Sequence, residues 1–260
     1  MTILHKLNCV PQFVLDGLCY LTIGGSTAYG TSNDISDTDI LGIYIPPRQY
    51  LYPQEFGFIL GYNKPLPEVD NVYQIHNIYD GDVEYDINIF NIIHFFKLAK
   101  AGNPNIIDMI NTDDSFHLFK NDIGKLILEN KNQFYSKNMY PRFRGMIKNH
   151  MDTISIPKTV GKRAGLVEKY GFDTKDAGHT IRIQLALLDL LRDGSYGLQT
   201  HSELIKAIRT GQYSLAEINS MFAVNERDME KFIKVTLLKE NVDEVAVVNL
   251  LQKCLDLEYE

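Results

Sequence analysis

Leu18-Cys19-Tyr20-Leu21-Thr22-Ile23-Gly24-Gly25-Ser26 and, ten residues further on, Asp37-Thr38-Asp39-Ile40-Leu41-Gly42-Ile43-Tyr44-Ile45 decide the reading of this chain. Each stretch holds an apolar run of strand length bounded by Gly, Ser, Asn or Asp, the pattern of buried strands. The expected unit is a strand, a tight Gly-Gly-Ser turn, a short helix or loop, and a second strand that opens with two aspartates. Gly24 and Gly25 have no side chain, so backbone N–H groups there can approach a bulky anion and take up unusual dihedrals. Ser26 adds a hydroxyl donor, and a helix start after it favours negative charge. Asp37 and Asp39 are two apart and project from the same face of a strand. Adjacent carboxylates repel each other unless a proton or a cation sits between them. Hard divalent cations such as Mg2+ take one or two carboxylates together with substrate phosphates. A phosphate cradle beside a carboxylate pair is what metal-assisted phosphoryl or nucleotidyl transfer requires. Each fragment alone is common, Gly-Gly-Ser in loops and Asp-x-Asp in solvated turns and caps. Their order, each joined to an apolar strand, is what carries the reading.

Working outward, the chain has 260 residues, 45% hydrophobic and 23% charged, which suits a soluble globular protein with a sizeable core. Its net charge of −7 argues against a protein that grips nucleic acid along most of its surface. Cys9, Cys19 and Cys254 are odd in number, scattered, and without zinc-ligand spacing, which fits a reducing cytoplasm. No apolar run reaches membrane-spanning length, so no membrane partner is expected. The histidines, among them His76, His94, His117, His150, His179 and His201, show no His-x-x-x-His spacing, which leaves a metal-dependent phosphohydrolase little support.

Past Pro46-Pro47, residues 48–67 read as a loop-heavy excursion. Val72 to Ile78 and Val83 to Ile89 then read as a hairpin around the turn signal Asp80-Gly81. The second arm alternates, with Val83, Tyr85, Ile87 and Ile89 on one face and Glu84, Asp86 and Asn88 on the other. A helix from about Asn91 to Ala101 follows, with Asn91 as N-cap and Gly102 and Pro104 at its end. From about residue 117 the periodicity is helical, over residues 118–130, 140–153, 159–170, 174–192, 204–209, 215–222, 229–240 and 242–257. This half carries a basic cluster, Lys158, Lys162, Arg163, Lys169 and Lys175, ahead of His179 and Arg182. Lys175, His179 and Arg182 are spaced by four and three and share one helix face, although a solvated face has the same look.

Ile23-Gly24-Gly25-Ser26 with Asp37-Thr38-Asp39-Ile40 resembles the signature of the DNA polymerase beta-like nucleotidyltransferase superfamily. Thr38 departs from it, an apolar residue being usual there. The longer block Gly25-Ser26 to Pro47 is similar to a branch of predicted bacterial and phage nucleotidyltransferases. The resemblance is tight over residues 23–47 and loose elsewhere. It implies an α+β fold, a small mixed sheet with flanking helices followed by a helical half packed on the active site; the onset of helical periodicity sets the boundary near residue 115 (1–115 and 116–260), as two domains or as one continuous structure. It also implies a third carboxylate on a strand beside the Asp-x-Asp strand. Counting back from Gly102-Asn103-Pro104 lands on Asp86, with Glu84 the runner-up on the same face. A Lys-x-x-x-His-x-x-Arg pattern in that branch falls on Lys175, His179 and Arg182.

The expected activity is transfer of a nucleoside monophosphate from a nucleoside triphosphate to an acceptor hydroxyl on RNA, a protein or a small molecule, with release of pyrophosphate. Asp37, Asp39 and Asp86 would hold Mg2+ or Mn2+, and Gly25, Ser26, Lys175, His179 and Arg182 would hold the phosphates. Asp39 or Asp86 would take the acceptor proton. Two readings from other classes compete: a nucleotide-binding regulator or antitoxin-like partner without transfer activity, and a module whose basic helix grips RNA.

Overall fold

A computed structural model describes residues 10–32, 37–57, 70–81, 83–154, 156 and 162–260. The elements run α1 (Gln12–Asp16), β1 (Leu18–Ile23), α2 (Gly25–Ala28), β2 (Thr38–Tyr44), α3 (Arg48–Leu51), β3 (Val72–Asp80), β4 (Val83–Asn91), α4 (Ile92–Lys100), α5 (Pro104–Met109) and β5 (His117–Lys120). The helical half continues with α6 (Asp122–Glu129), α7 (Met139–Thr153), α8 (Lys162–Tyr170), α9 (Thr174–Asp193), α10 (Ser202–Arg209), α11 (Leu215–Phe232) and α12 (Glu244–Tyr259).

The fold is α+β, as the sequence implied. A five-stranded mixed sheet has the order β3-β4-β2-β1-β5. β2 runs antiparallel to β1 and parallel to β4, in a register that sets Asp39 against Asp86. Strand alternation sorts the residues by face. Ile40, Tyr44, Ile87 and Ile89 point one way and bury against Val10, Val14 and Leu18. Ile43 and Tyr20 point the other way, into a second core with Phe95 and Phe96 of α4, Leu187 and Leu191 of α9, and Leu250 and Cys254 of α12. That second core joins residues from both halves of the chain. Asp37 and Asp39 lie on the same face as Ile43, at the opening end of β2, where the helices leave a cleft.

The hairpin forms as expected, with one refinement. The β3–β4 register shifts between Ile75 and Ile78, and Asn77 takes a left-handed φ of 57°, a conformation Asn tolerates better than most residues. Asn91 caps α4 by accepting from the His94 amide at 3.1 Å, and Asn103 caps α5 ahead of Pro104.

Three expectations need correcting. Residues 117–120 are an edge strand rather than the start of a helix. Four residues are too few to show a period-2 pattern, and Asn121 delays the next helix by capping α6 through the Gly124 amide. The helices expected over 215–222 and 229–240 are one continuous helix ending at Phe232, since no Gly or Pro interrupts Ala223 to Asp228 and the Ser214–Glu217 capping box fixes its start. Part of the expected loop after Pro47 is α3 followed by a short turn of 3-10 helix over Pro53–Phe56. Cys9, Pro157, Lys158 and the loop over 58–69 lie outside the described residues. No helix among the described residues is long and apolar enough to cross a membrane.

Candidate active site

Three neighbouring strands supply the floor of a cavity of about 580 Å³. β2 contributes Asp39 and Leu41, with Asp37 just before it. β4 contributes Asp86, Asn88 and Phe90, and β3 contributes Gln74. Alternation explains the selection, since these are the side chains on the sheet face that the helices leave open. The cavity is of the size that holds a drug-sized or nucleotide-sized ligand. Glu84 does not line it.

The Gly-Gly-Ser turn closes one wall. The Gly24 amide donates to the Asp39 carbonyl at 2.8 Å, tying the end of β1 to the start of β2. Gly25 adopts φ +57°, and a Cβ built there would fall inside the Asp39 carboxylate. Position 25 therefore requires glycine on two independent grounds. Gly25→Ala is expected to lose about 1–2 kcal/mol from backbone strain alone, read by urea unfolding, and to push the Asp39 carboxylate out of place.

The Asp39 carboxyl is held above the usual aspartate range. Burial is the largest cause and the Asp86 charge the next; the Lys175 ammonium pulls it back and Asp37 pushes it up again. One oxygen of Asp86 accepts from the Asn77 amide at 3.1 Å and faces the His76 ring nitrogen at 3.2 Å. The β3 bulge thus orients Asp86. No three His, Cys, Asp or Glu side chains among the described residues are already gathered as a metal-binding group.

The helical half closes the other wall. α9 presents Lys175, Asp176, His179 and Arg182 to the cavity, α8 presents Arg163, and α10 presents Arg209. The four-and-three spacing did place Lys175, His179 and Arg182 on one face, but their states differ. Lys175 is exposed and acts on Asp39. The His179 pKa is driven well below the ordinary histidine value by burial, and then by Arg182 and His150, so its ring is neutral. It packs edge-on against His150, whose Nδ1 lies 2.8 Å from Asp176.

Arg182 is 4% exposed and forks onto the carboxylate of Asp108, itself 3% exposed, at 2.7 and 3.3 Å. Tyr29 and Tyr196 donate to the same carboxylate at 2.9 and 2.6 Å. The guanidinium also stacks 3.7 Å from the Tyr29 ring centroid. Burial raises both phenol pKa values, so both hydroxyls remain protonated donors. Arg182 commits its two terminal nitrogens to Asp108 and braces the wall, and its Nε is buried without a partner among the described residues.

Sequence reasoning gave no role to Asp108, Tyr196 or Arg209. Arg209 donates to the Thr31 hydroxyl at 2.7 Å, just past the Gly-Gly-Ser turn, and Gln199 donates to the Ala28 carbonyl at 3.1 Å. These contacts clamp the α2 segment from residues some 170 positions away. No local pattern announces such partners.

The sequence model of the RNA repair pathway DNA polymerase beta family, RlaP, matches residues 12–252. An uncharacterized 38.9 kDa protein of Enterobacteria phage T4, from the nrdC-mobD intergenic region, is 30% identical over 117 residues. That match covers 44% of this chain and 32% of the phage protein, so it spans about a third of that relative's length. A solved nucleotidyltransferase-like protein from Exiguobacterium sibiricum overlaps 98% of this chain and 76% of its own, at 9% identity and a TM-score of 0.32, a loose likeness. The family match takes in the carboxylate-bearing sheet and the helical half alike, and the chain belongs to the RNA repair pathway DNA polymerase beta family.

Proposed function

We propose that the protein is a metal-dependent nucleotidyltransferase that moves a nucleoside monophosphate from a nucleoside triphosphate to an acceptor hydroxyl. The acceptor oxygen forms a bond to the α-phosphorus, the bond to the bridging oxygen breaks, and pyrophosphate leaves with that electron pair. The observation that carries the reading is the register pairing of Asp39 with Asp86 on the floor of a cavity whose wall is the Gly-Gly-Ser turn. The family's description supports RNA as the acceptor.

The donor set fits a divalent cation. Asp37, Asp39 and Asp86 line one cavity, and the burial and mutual repulsion that lift the Asp39 pKa are what a cation would relieve. Mg2+ or Mn2+ held by Asp37, Asp39 and Asp86 would supply positive charge to the triphosphate and make the acceptor hydroxyl more acidic. The chain's own groups do the rest. Asp39 or Asp86, both lining the cavity, would take the acceptor proton. Gly25 and Ser26 offer the N–H groups of a helix start, which have no intrahelical acceptor. Lys175, Arg163 and Arg209 bring positive charge to the phosphate side, and neutral His179 contributes a hydrogen bond.

The test is a pyrophosphate-release screen with each of the four nucleoside triphosphates, Mg2+ or Mn2+, and cellular RNA or protein as acceptor. The wild type is set beside a variant with Asp37→Asn and Asp39→Asn. Release that requires both aspartates is expected. Nucleotide binding by calorimetry with no release from any combination would instead support a nucleotide-binding regulator.

A further inference from the structure

The active-site cavity does not end at the carboxylates. Leu98, Asn103, Asn105 and His150 line both it and a second cavity of about 600 Å³ between α4 and α7. Lys97, Ala101 and Arg142 carry that second cavity into a third, of about 740 Å³, which reaches Lys100 and Asn138. The three form one trench leading away from Asp39 and Asp86, with room well beyond what a nucleoside triphosphate fills. α7 builds one bank with Arg142, Met146, Asn149, His150 and Thr153, residues on one helical face.

The chain carries 33 Asp and Glu against 26 Lys and Arg, yet among the described residues no acidic side chain lines the second or third cavity. Lys97 and Arg142 are exposed, and neither side chain hydrogen-bonds or pairs with an acid among the described residues. Lys100 alone of the three is paired, to Glu244 at 2.7 Å. Asn103, Asn105 and Asn149 add amides that can meet sugar hydroxyls and base edges. Among the described residues no Phe, Tyr or Trp lines these two cavities, so a strand there would be held by its backbone rather than by stacked bases.

We propose that this trench is the acceptor track, in which a single-stranded polynucleotide lies with its 3′ end at the carboxylates and its upstream phosphates on Lys97 and Arg142. Only the direction of the strand rests on the transferase reading; the binding itself does not. Cations spaced along a channel that opens from a phosphate-handling site match the repeating charge of a strand. A small-molecule acceptor would have no use for them.

The test is fluorescence anisotropy with a labelled single-stranded RNA of about twelve nucleotides, a length that fits such grooves. Wild type is compared with the Lys97→Ala/Arg142→Ala double variant across a salt series, and binding of a fluorescent nucleoside triphosphate is measured in parallel. Both substitutions are at exposed positions, and circular dichroism checks that the fold is kept. The variant is expected to bind RNA at least about tenfold more weakly at low salt, with the slope of log K against log salt reduced by about 1.4, two phosphate contacts at about 0.7 each. RNA sequence should matter little, and nucleotide binding should not change. Unchanged RNA affinity and slope in the variant would overturn the proposal, as would a poly-glutamate peptide of matching charge binding as well as the RNA. If the transferase reading is wrong, the pyrophosphate screen stays silent while the double variant still loses RNA. If the track is wrong, wild type transfers and the double variant transfers to RNA equally well.

Discussion

Asp86→Asn is expected to lower nucleotidyl transfer by about 10³-fold, several kcal/mol of lost charge stabilisation, while Glu84→Gln stays within a few-fold of wild type. The two carboxylates are two residues apart on one strand, and the alternation pattern alone leaves both available. Register separates them. Asp86 is the partner of Asp39 on the neighbouring parallel strand, and strands so paired lie about 4.8 Å apart. It reaches the cavity with one oxygen steadied by the Asn77 amide. Glu84 sits one pleat nearer the hairpin turn and does not line the cavity.

The same variant has a thermodynamic signature that separates a catalytic loss from a folding defect. The Asp39 carboxyl has a folded pKa above its ordinary value, through burial first and the Asp86 charge second. A carboxyl with a raised folded pKa makes the fold less stable when ionised at neutral pH, and that penalty fades as the pH falls through the raised pKa. Removing the Asp86 charge removes part of the penalty. Asp86→Asn should therefore melt at an equal or higher temperature than wild type at pH 7, with the difference shrinking in acid. A variant that is inactive because it melts early would count against the assignment.

The first two strands, the turn between them and the placement of Asp37 and Asp39 in the cavity were legible because each is a local pattern. An apolar run, two glycines and Asp-x-Asp fix β1, α2 and β2 without reference to anything distant. Asp86 was half legible: alternation named its face, but choosing it over Glu84 took the resemblance, and only the β2–β4 pairing gives a structural reason. The short strand β5 was illegible for want of length. Arg182 shows a different limit. Its place on the α9 face followed from spacing, yet its state depends on Asp108, 74 residues earlier, which no periodicity links to it. His179 is similar, since its neutrality comes from packing that a helical wheel does not contain. The cavities beyond the carboxylates show the same limit, because Lys97 of α4 and Arg142 of α7 come to line one space only in the folded chain.

Asp108→Ala should have the largest effect on stability of any single change in this chain away from the apolar core. Asp108 and Arg182 are both almost fully buried, and the carboxylate accepts from four donors on three other segments: two nitrogens of Arg182, Tyr29 and Tyr196. Removing one member of a buried pair leaves the other charge without compensation, a loss of about 3–5 kcal/mol. Two phenol donors would also be left without an acceptor, although the losses share one site and do not simply add. Against a typical stability of about 5–15 kcal/mol, urea unfolding should show a large fall in midpoint, and expression should suffer. Asp108→Asn keeps an acceptor for the tyrosines but not the charge for Arg182, so it should fall between Ala and wild type. The double change Asp108→Leu with Arg182→Met removes both charges together and should recover much of the loss, because isosteric apolar pairs replace buried ion pairs well. Recovered stability should not restore function. Tyr29 ends the α2 segment that begins at Gly25, and without Asp108 its hydroxyl loses that anchor, so the turn keeps the Arg209 and Gln199 contacts but loses its link through Asp108 to Arg182 and Tyr196. KM for the triphosphate should therefore rise in the double variant even where its melting temperature returns. A double variant that regains stability and binds nucleotide as wild type does would show that the buried cluster holds the fold together and has no part in shaping the phosphate wall.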